Sequence, residues 1–77
     1  MSIQVMLFGS LVDLTGKSSL TINDCKDTQS LKEKVFLEYP RLKDCEFLIS
    51  VNKKLVKNNL SLEPENEVAF LPPFAGG

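Results

Sequence analysis

One sustained helical stretch divides this chain, and what lies on either side of it reads as strands. Leu31, Val35 and Tyr39 recur at i, i+4 and i+8 and are widened by Phe36, while Lys32, Glu33, Lys34 and Glu38 are expected to face water. Ser30-Leu31-Lys32-Glu33 fits a capping box, which sets the helix start at Ser30, and Pro40 closes the segment. Ahead of it, residues 3–8 alternate: Gln4 marks the wet face, so Ile3, Val5 and Leu7 point inward and Met6 and Phe8 outward. Residues 9–17 are a connection with room for one helical turn on Leu11, Val12 and Leu14, closed by Gly16. Residues 18–22, rich in Ser and Thr, suit an edge strand, and residues 23–28 form a polar loop.

The second half repeats the strand pattern. A short link after Pro40 leads to residues 47–51, with Phe47, Ile49 and Val51 on one face. Asn52-Lys53-Lys54 turns the chain into a very short strand at Leu55-Val56, and Leu60 and Leu62 pin the loop that follows. Pro64-Glu65-Asn66 then leads into residues 67–71, where Glu67 belongs in solvent, Val68 and Phe70 in the core, and Leu71 at the surface. Two strands, a helix and two or more strands make an α+β order, with the helix packed on one face of the sheet. If the first and last strands are neighbours, Phe8 and Leu71 merge into one exposed apolar patch, the kind of surface that marks a partner site.

Seventy-seven residues are expected to fold as one domain over residues 1–71, with 72–77 as an extended tail. A chain of this size buries only roughly 60% of its unfolded surface, enough for one small core and hardly for a deep catalytic cleft. The net charge of -1 leaves no footprint for nucleic acid or an anionic membrane. No apolar run approaches the ~20 residues of a membrane span and no signal peptide opens the sequence, so a cytoplasmic location is expected. Histidine is absent, which removes the usual neutral-pH base and the commonest metal ligand. Cys25 and Cys45 lack the spacing of a zinc site and read as small apolar residues rather than nucleophiles. The carboxylate pairs Asp24/Asp27 and Glu63/Glu65 read as solvated loop groups, and no glycine-rich phosphate loop is present. No metal site and no catalytic apparatus of its own are therefore expected.

The last residues carry the chemistry. From Val68 to Gly77 no side chain ionises, so the charge of this segment is the terminal carboxylate. Pro72 and Pro73 favour an extended path, and Gly76-Gly77 make the narrowest peptide a chain can build. Six residues from Pro72 onward reach roughly 20 Å when extended. This is a carboxylate on an arm, shaped for a pocket on another protein.

The sequence resembles the small, sulfur-carrying subunits of molybdopterin synthase, a ubiquitin-like family, over its whole length. The resemblance is carried by Val5-Met6-Leu7-Phe8 with Leu14 and Gly16, by Val51-Asn52 followed by Leu55-Val56, and above all by Glu67-Val68-Ala69-Phe70-Leu71-Pro72-Pro73 before Gly76-Gly77. It implies a β-grasp fold: a mixed sheet of four to five strands, with the first and last strands parallel and central. It also implies a chemical cycle at Gly77, with Gly76 beside it. An adenylating activating enzyme joins the carboxylate to AMP from ATP, and a sulfur donor, such as a cysteine desulfurase or a rhodanese-like protein, replaces AMP to leave a thiocarboxylate. That sulfur is ionised at neutral pH and needs no base nearby. The large subunit then supplies the pocket in which cyclic pyranopterin monophosphate receives two sulfurs and becomes the dithiolene of molybdopterin, in a heterotetramer of two small and two large chains.

On this reading no cofactor is bound tightly, and Phe8, Leu55, Leu71, Pro72, Pro73 and Phe74 form the partner-binding surface. One departure is the segment Leu11-Val12-Asp13, where the family often carries a basic residue; Val12 would then offer an apolar contact instead. Three other readings share parts of the pattern: a thiamine-pathway sulfur carrier, which lacks the Pro-Pro element, a ubiquitin-like modifier joined to lysines through Gly77, and a docking module whose tail is not modified.

Overall fold

Alternation decides the sheet. In the computed structural model, which describes residues 2–73, the first strand β1 (Ser2–Leu7) buries Ile3, Val5 and Leu7 and exposes the residues between them. A short helix α1 (Ser10–Thr15) follows, anchored by buried Leu11 and closed by Gly16 in the left-handed conformation, and the chain returns through β2 (Ser19–Asn23). Leu20 and Ile22 are buried and Thr21 between them is exposed, as expected of an edge strand. The main helix α2 (Thr28–Glu38) and a 3-10 turn (Pro40–Asp44) lead to β3 (Leu48–Val51), β4 (Lys54–Val56) and β5 (Val68–Leu71).

The five strands form one sheet in the order β2-β1-β5-β3-β4. β1 and β5 run parallel, with Val5 beside Val68 and Leu7 beside Phe70, and the other neighbours are antiparallel. This is the β-grasp expected from the sequence, with the first and last strands side by side. Leu31 and Val35 of α2 close the core over Ile3, Val5, Val68 and Phe70, all wholly buried. Phe47 stacks on Phe70 at 4.7 Å between ring centroids and receives Phe36 of α2 edge-on at 6.0 Å. These contacts hold the helix to one face, and the opposite face of the sheet stays uncovered.

The main helix does not begin at Ser30. Its N-cap is Asp27, whose Oδ1 accepts from the Ser30 backbone N–H at 2.8 Å, while Ser30 Oγ accepts from the Asp27 N–H at 3.3 Å. The box is therefore Asp27-Thr28-Gln29-Ser30, one turn earlier than the Ser30-to-Glu33 pattern suggested, and Glu33 accepts from Gln29 instead. Asp27 is no idle loop carboxylate. Asn59 reinforces it from a distant loop: its Nδ2 donates to Asp27 Oδ2, and its Oδ1 accepts from the backbone N–H of Gln29 and from Thr28 Oγ1. The backbone and side chain of Ser30, followed by the Asn59 side chain, hold the Asp27 carboxyl below its ordinary range by hydrogen bonding. Lys32 and Lys34, expected fully in water, are half-buried, and Lys34 Nζ donates to the Asn23 carbonyl at 2.9 Å.

Smaller corrections fall on the second half. The link after Pro40 is a 3-10 turn that buries Leu42. Leu62 pins the loop as expected, whereas Leu60 is exposed. The turn into β4 puts Asn52 and Lys53 both at positive φ, +52° and +69°, the backbone of a tight type I′ hairpin. Asn52 also accepts from the Glu67 N–H at 2.9 Å, which ties this hairpin to the start of β5. No helix among the described residues is long and apolar enough to cross a membrane.

Candidate functional site

The uncovered sheet face is not flat. Cross-strand pairing lines up Met6, Ala69, Ser50 and Leu55 in one row across β1, β5, β3 and β4. Two small residues lie between two long ones, so Ala69 and Ser50 make a floor and Met6 and Leu55 make walls. The next row holds Leu71 paired with Leu48, and continuing the parallel register sets Phe8 beside Leu71. The result is an apolar groove of about 660 Å³, with Lys53 and Glu67 as its charged lining. Met6 is 43% exposed, Phe8 46% and Leu55 58%, a large apolar commitment for so small a surface.

Phe8 and Leu71 thus meet on the face away from the helix, as strand alternation indicated. Leu71 is half-buried rather than exposed, because Leu48 covers one side of it. Leu55, expected there from the resemblance alone, forms the far wall. Sequence reasoning missed Met6, Leu48, Ser50 and Ala69 as parts of one groove. The available signal was the two small residues, Ser50 and Ala69, in otherwise apolar strands; their alignment depends on a register that the sequence does not display.

At the end of β5 the two prolines part company: Pro72 is buried and Pro73 exposed. Pro72 sits against Gly9, whose φ of +59° and ψ of -134° suit glycine and few other residues. A Cβ on Gly9 would lie 2.7 Å from Pro72 Cγ, so the ring occupies space that only glycine leaves free. Phe74, Gly76 and Gly77, also read as site residues, lie outside the described residues. Val12, offered as a partner contact, is half-buried and packs on the core, while Leu11 is buried.

Cys25 sits in the core, whereas Cys45 lines a pocket that also takes in Pro73. Cys25 is buried with its Sγ 3.9 Å from the Ile22 carbonyl, and burial pushes its thiol above the ordinary range despite the charge of Lys34. Cys45 is half-buried with its Sγ 3.6 Å from the Arg41 carbonyl, and both thiols are free. Among the described residues no cluster of three or more Cys, Asp or Glu is arranged to hold a metal ion. What the arrangement offers is an apolar groove that ends where the sequence turns to Pro72-Pro73, in a stretch with no ionisable side chain from Val68 to Gly77.

Comparison with known proteins agrees with this architecture. The chain is similar to a protein of Arabidopsis thaliana described as a molybdopterin synthase sulfur carrier subunit, at 27% identity over 97% of this chain and 82% of that protein. Its fold matches that in a complex of subunits 1 and 2 of the molybdopterin-converting factor of Helicobacter pylori, with a TM-score of 0.73, 26% identity and full coverage of both chains. It also matches SAMP1 of Haloferax volcanii at a TM-score of 0.81, with 17% identity and full coverage of both chains, a likeness of fold. The resemblance read from the Pro-Pro and Gly-Gly elements is thereby borne out. The ThiS family model matches residues 5–77, from the first strand through the groove to the final glycine, and the chain belongs to the ThiS family.

Proposed function

We propose that this protein is the sulfur-carrier subunit of a molybdopterin synthase, a co-substrate that carries sulfur on Gly77 while its partner, the large subunit, supplies the active site. The observation that carries the reading is the apolar groove of Met6, Phe8, Leu48, Leu55 and Leu71 beside a Pro-Pro to Gly-Gly segment that has no ionisable side chain. Family membership, the Arabidopsis relative's description and the Helicobacter complex of two subunits support it.

The chemistry follows from the groups present. A carboxylate is a poor electrophile, so Gly77 is first joined to AMP, with pyrophosphate leaving, by an adenylating enzyme that binds ATP. A sulfide-level sulfur delivered by a donor protein attacks the acyl carbon and AMP departs, leaving a thiocarboxylate. This anion is nucleophilic without a base, which suits a chain that has no histidine. Docked through the groove, the large subunit takes in the tail, and two such sulfurs convert cyclic pyranopterin monophosphate to the dithiolene. The groove residues, with Pro73 and Phe74, make the contacts; Gly76 and Gly77 pass where a side chain would jam.

Reconstitution tests the reading. The chain, charged with sulfur at Gly77 and mixed with the large subunit from the same genome, should convert cyclic pyranopterin monophosphate to molybdopterin. A charged, folded chain that binds that subunit and transfers nothing would refute it. Isopeptide ladders on other proteins would move the assignment to a protein modifier, and rescue of thiazole sulfur incorporation to a thiamine-pathway carrier.

A further inference from the structure

The groove tells a partner where the domain is, but sulfur transfer also requires that the partner find the tail. We propose that the Gly9–Pro72 notch aims the tail, making Gly9 and Pro72 positioning residues for the transfer; this rests on the sulfur-carrier reading above. The notch is built from three observations. First, the parallel β1–β5 register, continued by two residues, brings Gly9 and Pro72 side by side, and Pro72 Cγ lies 2.7 Å from where a Gly9 Cβ would be. Second, the Gly9 side is fixed to the core. The Gly9 carbonyl accepts from the Val12 N–H at 3.1 Å, the Phe8 carbonyl from the Leu11 N–H at 3.2 Å, and the Leu11 side chain is buried. Third, Pro72 is buried immediately before exposed Pro73.

Pro72 has a fixed φ, and Pro73 after it confines the Pro72 ψ to extended values, so seating the ring fixes where the tail leaves the sheet and narrows its direction. Residues 73–77 lead from that point to Gly77, a reach of roughly 17 Å when extended. With so short an arm, a wrong exit angle displaces the reactive carboxyl by much of its own reach. The notch also adjoins Phe8, a lining residue of the groove, which directly precedes Gly9. A partner that grips the groove therefore meets the tail at a set position, and docking and delivery are coupled through one loop.

The test compares Gly9→Ala and Pro72→Gly with the parent chain; neither replaces a groove residue, and Pro72, expected on the partner-binding surface from the resemblance, is buried against Gly9 instead. In a Cys25→Ala/Cys45→Ser background, a spin label at Ala75→Cys should broaden a restricted set of amides in the parent and a wider, weaker set in either variant. Chains charged with sulfur at Gly77 should lose far less affinity for the large subunit than the Phe8→Ala groove variant does, while the transfer rate at saturation falls roughly ten-fold or more, since small misplacements at a reacting centre are costly. That split separates positioning from folding or docking. If Gly9→Ala does not fold, Pro72→Gly, which removes the ring without crowding, carries the same comparison. Equally diffuse broadening in parent and variants, or unchanged transfer at saturation, overturns the proposal. Should the charged parent transfer no sulfur at all, the sulfur-carrier reading fails, and the broadening pattern still decides whether the notch aims the tail.

Discussion

Phe8→Ala and Val5→Ala separate docking from folding within a single strand. Val5 is 0% exposed and faces α2, whereas Phe8 is 46% exposed and faces the groove. Trimming Val5 removes two buried carbons at about 0.8 kcal/mol each, and the cavity left behind raises the cost to roughly 2–3 kcal/mol. For a domain of this size that lowers Tm by roughly 10–20 °C. Phe8 loses about half of a phenylalanine's burial and solvent fills the space, so roughly 1 kcal/mol of folding stability goes. In the complex, however, the ring is an aromatic anchor, and its removal should cost roughly 2 kcal/mol, a ~30-fold weaker Kd for the large subunit. Thermal melts and binding isotherms on the same two preparations read both quantities. If Phe8→Ala melts as low as Val5→Ala while the folded fraction binds normally, Phe8 is a core residue and the groove is not the docking surface.

Three further outcomes are expected. Gly76→Val, or one residue added after Gly77, should leave the melt unchanged and abolish loading or transfer; normal turnover by an untrimmed extended chain would count against a narrow channel. A Cys25→Ala/Cys45→Ser chain charged at Gly77 should still transfer sulfur, because Cys25 is buried with its thiol held protonated, and failure of the folded variant would return a cysteine to the mechanism. Asp27 has a lowered pKa when folded, so its contribution is present above the unfolded value of about 3.9 and is lost as pH falls through the folded one. Asp27→Asn keeps a capping oxygen and removes the titration, so its stability should fall less steeply below about pH 4 than that of the parent, and parallel acid limbs would contradict this.

Much of this was legible in the residues because the sheet's faces follow period two. Gln4 and Glu67 mark the wet side of their strands, and Ile3, Val5, Val68 and Phe70 fall in the core as that alternation requires. The helix start was not legible. Asp27-x-x-Ser30 and Ser30-x-x-Glu33 are overlapping capping patterns, and what selects the first is Asn59, thirty-two residues from Asp27 in sequence, bonding to Asp27 and Gln29. The groove lay between these cases. Phe8 and Leu71 were readable from alternation, but Ser50 and Ala69 become a floor only once pairing across four strands sets them in one row. The seat of Pro72 was hidden for the same reason. Pro72 reads as one of two stiffening residues in a tail, and only the β1–β5 register reveals that Gly9 opens a space for its ring.

The mass of the intact chain tests the central claim most directly. Isolated from cells that are making molybdopterin and carry its adenylating enzyme, the protein should include a species in which one oxygen is replaced by sulfur. Fragmentation should place that exchange on Gly77, and the species should disappear when the adenylating enzyme is deleted. A chain that shows only its unmodified mass under those conditions, or whose Gly77 is found joined to lysines of other proteins, would contradict the sulfur-carrier account.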